Sequence, residues 1–412
     1  MAGQKHPLVL MPIASPLHDE SSTAAVLSSY RRWLKGIYDS EAACATSPEE
    51  VDSAGLAGSA GAMVLVLTGG TEHILGAVAA LGRPLAVLAH DSMNSLPAAL
   101  EAMSAGGGSG ARLVFGMGRG RLAEVRRFVQ GAKTLARISG HRIGLVGGPS
   151  PWLTYSLPDT EALAKRLGIQ VVEIPMEEFR SVHSAVRQSD AVPIGAGGAG
   201  TVTMSDLEKS GRVYLALREI TAGRGLTAVT PRCFDFIKDM GATGCLALSK
   251  LNDEGIVAGC EGDVPSTVGM ITMAEVSGSP AFMANPSLID GHRLVLAHCT
   301  VATRLTRRVG YRTHFESGVG VALAGEFRAG ARVTVMRFGE SYSRLRAGAG
   351  AVVRGKPWSE DLCRTQVEIR MDGDAEKFLR RPMGNHLVMA YGDQVDKLRE
   401  LAAVAGLEFE EI

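Results

Sequence analysis

The stretch AMVLVLTGG, residues 62–70, decides the fold class that the sequence predicts. An unbroken apolar run ends in a glycine turn, and a helical pattern follows from Thr71. Such a run is typical of a strand that is buried on both faces of a parallel sheet. Similar apolar runs with helical patterns occur on either side of it, in residues 6–38, 83–90 and 111–118. We therefore predict a helix-covered parallel sheet in residues 1–140.

The alternation of strand and helix starts again at residues 141–148, HRIGLVGG. Residues 169–175 and 226–234 have the composition of strands, and the amphipathic segment 205–225 predicts a helix that ends at glycines. The apolar run GCLALSKL, residues 244–251, is predicted to be a further strand. Residues 141–244 are thus expected to form a second α/β domain.

The pattern changes after Ile289. Runs rich in β-branched residues are separated by turns that contain glycine, and helical periodicity is largely missing until Ala375. This arrangement predicts an antiparallel sheet or barrel, and we assign residues 245–412 to a β-rich C-terminal domain.

The composition excludes several classes of function. The 412 residues contain 43 Lys and Arg against 43 Asp and Glu, so no basic excess indicates binding to nucleic acid or to an anionic membrane. No apolar run approaches the length that spans a bilayer, and the six cysteines form no CxxC pair. We expect a cytoplasmic protein with free thiols.

Two motifs have weak functional signals. The sequence GAGGAG, residues 195–200, fits GxGxxG, but the residues before it are polar and interrupted by proline, which favours a loop over a dinucleotide site. The segment 147–156 contains Trp152 and Tyr155 beside small polar residues after a predicted strand. These rings either stack on a sugar or fill a domain interface, and the sequence leaves both alternatives open.

The strongest candidate site begins with Glu261 and Asp263 at the turn into a helical segment. An acid at a helix N-terminus is favoured by the free N–H groups, which is the purely structural explanation for Asp263. Asn285, His298 and His386 lie on or next to later predicted strands. Glutamate and histidine are suitable ligands for Mn²⁺ or a related divalent ion, although dispersed ligands cannot be shown to converge from spacing alone.

These residues carry a resemblance to a known family. The segments GCEGDVPS (259–266), GSPAFMANPS (278–287) and LAHC (296–299), together with MGNHLVMAYGD (383–393), resemble the L-fucose isomerase and L-arabinose isomerase superfamily, in particular its shorter fucose-isomerase-like branch. The resemblance is diffuse in the N-terminal half. It implies two doubly wound, Rossmann-like α/β domains followed by a β-rich, barrel-like domain, in agreement with the patterns above.

The resemblance also implies a site. Glu261 and His386 match the family's metal ligands, His298 matches a further histidine of the arabinose isomerase branch, and the expected ion is Mn²⁺. In the family, two carboxylates move a proton between C1 and C2 of the sugar through an ene-diol. Asn285 stands where the second carboxylate is expected, and an amide can bind a metal but cannot transfer a proton. Asp263 is the candidate for the missing acid.

We therefore predict a metal-dependent aldose–ketose isomerase with a small sugar as its substrate. Arg232, Lys250 and Asn252, on predicted strand ends or turns, are candidate substrate contacts together with Trp152. The family implies a homo-oligomer, a trimer or hexamer. Two alternatives are an epimerase or carbon–carbon lyase on the same scaffold, and a non-catalytic sugar-binding protein.

Overall fold

A computed structural model describes residues 6–106, 110–187 and 202–412. The GxGxxG motif at 195–200 lies outside these ranges. Five parallel strands form the first sheet: β1 (Leu8–Ile13), β2 (Ser40–Glu41), β3 (Gly61–Val66), β4 (Leu85–Ala89) and β5 (Arg112–Phe115). The apolar runs predict four of them, and the short polar β2 has no such run. They pair in the order β2-β1-β3-β4-β5, so β3 is the central strand. All six of its residues are buried, which explains its unbroken apolar sequence.

The helices of this part of the chain alternate with the strands. They are α1 (Glu20–Trp33), α2 (Ser53–Ala57), α3 (Glu72–Ala79), α4 (Ser95–Ser104) and α5 (Arg119–Ile138). Apolar side chains of α3 and α4 join those of the strands in one buried cluster. The alternation thus produces a sheet with helices packed on it.

A second parallel sheet follows. Its strands are β6 (Arg142–Val146), β7 (Gln170–Ile174), β8 (Ala228–Pro231) and β9 (Val257–Ala258), in the order β7-β6-β8-β9. The helices are α6 (Thr160–Leu167), α7 (Met176–Ala185), α8 (Met204–Gly223), α9 (Phe234–Met240), α10 (Cys245–Asp253) and α11 (Val264–Ser277).

The predicted strand at residues 244–251 is wrong, because this segment forms α10. Nearly every side chain of α10 is buried, including both polar and apolar ones. A helix that is buried on most faces has no polar stripe, so its sequence cannot be told from that of a buried strand by periodicity. The error also affects two candidate substrate contacts, Lys250 and Asn252, which lie on this helix and not on a strand end or turn.

The C-terminal part of the chain forms an antiparallel barrel. Its strands are β10 (Phe282–Asp290), β11 (Arg293–His298), β14 (Arg332–Phe338), β15 (Arg344–Arg354), β16 (Thr365–Met371) and β17 (Leu387–Tyr391). They pair in the order β14-β17-β10-β11-β16-β15, and the pairing of β15 with β14 closes the ring of six strands. Closure leaves these strands without a free edge. The predicted fold class, two parallel α/β sheets followed by a β-barrel, is confirmed.

Smaller elements complete the described chain. Strands β12 (Arg308–Arg312) and β13 (Ala322–Glu326) form a separate two-stranded ribbon, and β18 (Glu408–Glu411) is an additional strand beside β15. The remaining helices are α12 (Lys377–Arg380) and α13 (Val395–Val404). None of the helices in the described part of the chain is both long and apolar enough to cross a membrane.

The chain divides into two compact units. One comprises Met1–Ser139 with Lys397–Glu408, and the other comprises Gly140–Asp396 with Phe409–Ile412. The second sheet and the barrel therefore belong to one unit, and the domain boundary between residues 244 and 245 stays a prediction. Within this unit, α11 contacts β8 and β9 of the second sheet and β10, β14 and β17 of the barrel. The residues just before α11 are consequently placed beside the barrel strands.

Candidate metal centre

The turn before α11 fixes the position of Glu261. Both Glu261 (φ 64°) and Gly262 (φ 68°) have left-handed backbone conformations. A β-carbon at Gly262 would lie 2.4 Å from the carbonyl oxygen of Gly148, so only glycine fits this close approach. The Glu261 carbonyl oxygen accepts a hydrogen bond of 2.9 Å from the Ser150 N–H. The turn therefore holds Glu261, a non-glycine residue, in a conformation that such residues rarely adopt.

Asp263 caps the N-terminus of α11 and is completely buried. Its carboxylate accepts hydrogen bonds of 2.8 Å from the Ser266 N–H and from the Ser266 hydroxyl, and it lies 3.6 Å from the guanidinium of Arg337. Burial alone would raise the pKa of Asp263, but the charge of Arg337 and the hydrogen bond to His386 lower it. These contacts occupy both oxygens, which favours a positioning role for Asp263 over proton transfer.

His386 lies at the point where the chain enters β17, and its side chain is completely buried. Its Nδ1 lies 2.9 Å from Asp263 Oδ2, and its Nε2 lies 3.4 Å from Glu261 Oε1. Burial would lower the pKa of His386, but the carboxylates of Asp263 and Glu261 raise it to about 9. Because the ionised Asp263 only accepts hydrogen bonds, it keeps a proton on Nδ1.

His298, the last residue of β11, approaches the same carboxylate as His386. Its Nε2 lies 3.8 Å from Glu261 Oε1, while Glu261 Oε2 accepts a hydrogen bond of 2.7 Å from the Trp152 indole N–H. Burial would raise the pKa of Glu261, but the contacts with His298 and His386 lower it below its usual range. The carboxylate is therefore ionised and lies among three nitrogen-bearing side chains.

Cys260 adds a sulfur atom to this group. Its Sγ, a carboxylate oxygen of Glu261 and a ring nitrogen of His298 all lie within 4.8 Å of one another. The Cys260 Sγ also lies 2.9 Å from the Sγ of Cys233, and both cysteines are free thiols. The hydrogen bond with Cys233, together with burial, raises the pKa of the Cys260 thiol well above its usual value. This buried Cys/Glu/His group can hold a metal ion.

The histidines fit a metal site to different degrees. His386 Nε2 is buried and has no hydrogen-bond partner among the described residues. Asp263 keeps a proton on Nδ1, so Nε2 is the atom that is available to a cation, which would displace the Nε2 proton of the charged ring. This carboxylate–histidine arrangement is common behind metal-binding histidines. In His298, Nδ1 accepts a long hydrogen bond of 3.4 Å from the Thr300 N–H, so a cation on Nε2 would require the proton to move to Nδ1. His386 thus fits a cation after loss of its Nε2 proton, and His298 fits after a tautomer change.

The other residues that the sequence selects have contacts of their own. Asn285 lies within β10, and its side-chain oxygen accepts a hydrogen bond of 2.6 Å from the Asn385 amide, next to His386. Arg232 pairs with Asp235 at 2.7 Å.

The two candidates on α10 are engaged as well. Lys250 pairs with Glu254 at 3.5 Å. The side-chain amide of Asn252 hydrogen-bonds the backbone of Leu248 and of Ala258, so it joins α10 to β9.

Access to the carboxylate is narrow. Glu261 is only 8% exposed, whereas the Trp152 side chain that covers its Oε2 is 49% exposed and packs edge-on against Phe234, with ring centroids 4.9 Å apart. A cavity of about 330 Å³ beside Tyr155 and Arg337 adjoins the group, but Glu261 does not line it. The Trp152 indole therefore lies next to Glu261 Oε2, where it can affect the approach of a ligand.

Sequence reasoning missed Arg337 and did not select Cys260. Arg337, on β14, is 2% exposed and donates to the carbonyl oxygens of Met383 and His386 and to the hydroxyl groups of Ser156 and Ser266. It thereby ties the turn before β17 to the N-terminus of α11. The available signal was a second charged residue, besides Arg332, in the otherwise uncharged run ARVTVMRFG, residues 331–339. For Cys260, the signal was its position directly beside Glu261.

Comparisons with known proteins give distant relatives. The chain is 25% identical over 346 residues to sulfoquinovose isomerase of Clostridium sp. (strain MSTE9), covering 78% of this chain and 76% of the relative. It is 24% identical over 299 residues to sulfoquinovose isomerase of Priestia aryabhattai, covering 67% of this chain and 65% of the relative. The enzyme of the same name from Alkalicoccus urumqiensis is 22% identical over 298 residues, covering 68% of this chain and 66% of the relative. No protein-family model matches. The chain is therefore a distant homologue of sulfoquinovose isomerases.

Proposed function

We propose that this protein is a divalent-metal-dependent sugar isomerase that interconverts an aldose and a ketose through an ene-diol. The observation that carries the proposal is the Glu261 carboxylate, which is nearly buried, ionised, and approached by His386 Nε2 at 3.4 Å and His298 Nε2 at 3.8 Å. Ionised carboxylate and imidazole groups with one histidine backed by a second carboxylate are suitable ligands for a divalent cation. Distant homology to proteins named as sugar isomerases supports the same reaction type.

Each residue has a role in this proposal. Glu261, His386 and His298 are the metal ligands, with Mn²⁺ as the expected ion, and Asn285 is a neutral neighbour. A bound cation would supply a positive charge that holds two neighbouring oxygen atoms of the sugar. The same charge would make the proton on C2 easier to remove. Glu261 accepts that proton, and the Trp152 N–H orients its carboxylate. Asp263 keeps the proton of His386 on Nδ1, so we assign it to positioning and not to the second acid role.

The substrate is proposed from the relatives and from the residues around Trp152. A sulfonated sugar such as sulfoquinovose is the first candidate, because the relatives carry that name. Trp152 offers an exposed aromatic face for a sugar ring. Arg232, which is two residues before the Phe234 ring that contacts Trp152, is the proposed contact for an anionic substituent. Lys250 and Asn252 lie on α10, and their role as substrate contacts stays a prediction.

The test combines metal binding with proton exchange. Calorimetry with Mn²⁺ is performed on the wild type, Glu261→Gln and His386→Ala, and both variants are expected to lose at least about tenfold in affinity. Incubation of sulfoquinovose and a panel of neutral aldoses in D₂O, followed by NMR of the C2 proton, detects the ene-diol. Unchanged Mn²⁺ affinity in both variants removes the metal site. Absence of exchange with every sugar, in a protein that binds metal, removes the isomerase.

A second candidate function follows from Asn285. Because an amide cannot transfer a proton, the group lacks the second carboxylate that the resemblance implies, which favours a divergent reaction such as carbon–carbon bond cleavage. Asn285→Asp supplies a titratable group at this position, and Asn385→Asp is the matched control because its amide is the hydrogen-bond partner of Asn285. If the protein is an isomerase that does not use this position, Asn285→Asp retains the wild-type product. A new product only in Asn285→Asp indicates that Asn285 determines the reaction.

The proposal includes self-association into a trimer or hexamer. The segment FGMGRGR, residues 115–121, presents Phe115 and Met117 at 40% and 50% exposure on the turn between β5 and α5. Exposed apolar side chains beside arginines are suited to a subunit contact. Light scattering is the direct measurement, and a mass near the 43.3 kDa of one chain rejects the oligomer.

A further inference from the structure

We propose that the thiolate of Cys260 is a metal ligand of this centre and replaces the carboxylate that Asn285 lacks. The inference rests on the proposed metal site and specifies its chemistry. Its basis is the compact set of donors formed by Cys260, Glu261 and His298, whose ligand atoms lie within 4.8 Å of one another. Two members of this set, Cys260 and Glu261, are anionic once deprotonated. Together they can therefore neutralise the two charges of a divalent cation.

Asn285 is poorly placed to serve as the second ligand. Its side-chain oxygen already accepts the 2.6 Å hydrogen bond from the Asn385 amide. A neutral amide also contributes no charge, so a centre built from Glu261, Asn285 and histidines would hold a divalent cation with a single negative charge. A deprotonated Cys260 restores the second charge within the same group of residues.

The Cys260 sulfur is buried next to a second sulfur atom. The side chain is 3% exposed, and the Cys233 Sγ lies 2.9 Å from its sulfur. If Cys260 is a thiolate, Cys233 is the partner that carries the hydrogen, and its S–H donates to the Cys260 sulfur. On binding, the Cys260 S–H bond breaks, a sulfur–metal bond forms, and the proton leaves to solvent. No oxidant or reductant is required.

The choice of metal follows from the sulfur. Thiolates select zinc and similar softer ions, whereas carboxylate and water ligands suit Mn²⁺. We therefore expect the protein to bind Zn²⁺ and Co²⁺ more tightly than Mn²⁺. The difference in affinity should be larger than for a site that has only oxygen and nitrogen ligands.

Cobalt provides a readout that is independent of activity. The full-length protein is reduced, freed of metal and titrated with Co²⁺ under argon, and a thiolate ligand produces a near-ultraviolet sulfur-to-cobalt charge-transfer band. The wild type is expected to show the band, and Cys260→Ser is expected to lose it and at least about tenfold of its Zn²⁺ affinity. Cys245→Ser is the matched control, because Cys245 is also 3% exposed and free. It should retain both the band and the affinity.

A measurement on the wild type covers the case in which Cys260→Ser does not fold. X-ray absorption at the zinc edge should show one sulfur at about 2.3 Å, besides lighter ligands at about 2.0–2.1 Å. A shell without sulfur, or a Co²⁺ band that survives in folded Cys260→Ser, overturns the assignment. If Glu261→Gln loses the metal while Cys260→Ser keeps it, the thiolate ligand is rejected and the metal centre stands. If the wild type binds no metal, both proposals are rejected.

Discussion

Replacing Asp263 with asparagine should weaken metal binding, because Asp263 fixes the proton position of His386. The carboxylate accepts three hydrogen bonds of 2.8–2.9 Å, two from Ser266 and one from His386. An asparagine keeps one oxygen for the Ser266 N–H, but its NH₂ group then faces the Ser266 hydroxyl and His386 Nδ1. To accept from that NH₂ group, His386 must move its proton to Nε2, the atom that faces Glu261. The ring can then no longer bind a cation through Nε2.

The expected loss of stability follows from the burial of the charges on Asp263 and Arg337. Arg337 is 2% exposed and lies 3.6 Å from the Asp263 carboxylate, so neutralising Asp263 leaves a buried cation without its anion. Breaking a buried ion pair in this way costs about 3–5 kcal/mol. Arg337 keeps its hydrogen bonds to the Met383 and His386 carbonyl groups, so we expect a loss of about 3 kcal/mol in the free energy of unfolding. Metal affinity should fall by about 10–100-fold, as for other residues that support a metal-binding histidine.

The assay compares two helix caps. Asp159 caps α6 by accepting from the Ala162 N–H, and its other oxygen accepts from the Ser341 hydroxyl, with no histidine involved. Urea unfolding and Mn²⁺ calorimetry are performed on Asp263→Asn and Asp159→Asn. Asp159→Asn should lose less stability and keep its metal affinity. A folded Asp263→Asn that binds Mn²⁺ as the wild type does would refute the tautomer argument.

Three further predictions concern the turn, the covering tryptophan and pH. Gly262→Ala should lower the free energy of unfolding in urea more than Gly278→Ala does. Both glycines have φ near 70°, but only a β-carbon at Gly262 meets an atom, the Gly148 oxygen at 2.4 Å. Equal losses would show that the contact relaxes freely. Trp152→Phe keeps the ring contact with Phe234 but removes the donor to Glu261, so turnover should fall about tenfold while Trp358→Phe has no effect. His183 has a folded pKa of about 4 because of burial and the charge of Arg212, compared with 6.5 when it is free. As the pH falls, the unfolded chain thus binds the proton first, so the contribution of His183 to stability should be constant above about pH 6.5 and fall by about 1–2 kcal/mol towards pH 4. In His183→Gln this slope should flatten, and an unchanged slope would assign it to other groups.

The sequence predicts the fold well where residues have a clear periodic environment. The central strand Gly61–Val66 is apolar throughout because both faces of its sheet are covered, and the barrel strands alternate with glycine turns. The prediction is wrong for Cys245–Asp253, because a helix that is buried on most faces has no polar stripe. In that case periodicity carries no information, and only tertiary packing decides between helix and strand.

The candidate site shows a different limit. The residue pattern selects Glu261, Asp263, His298 and His386, and the resemblance adds their expected roles, but spacing along the chain cannot predict that His386 would bridge the two acids. That contact depends on the left-handed turn at Glu261 and on the place where β17 enters the barrel, which are tertiary features. Arg337 was missed because an arginine near the end of an apolar strand usually reaches solvent, whereas this one is retained inside by carbonyl and hydroxyl oxygens.

The wide separation of Asp263 and His386 along the chain, 123 positions, has a thermodynamic consequence. In the unfolded chain these groups are rarely close together, so a cation that the folded protein binds has little affinity for the unfolded state. Binding and folding are therefore linked, and a metal at one hundred times its dissociation constant should raise the free energy of unfolding by about 2.7 kcal/mol. The melting temperature should then depend on metal concentration, and a chelator should lower it.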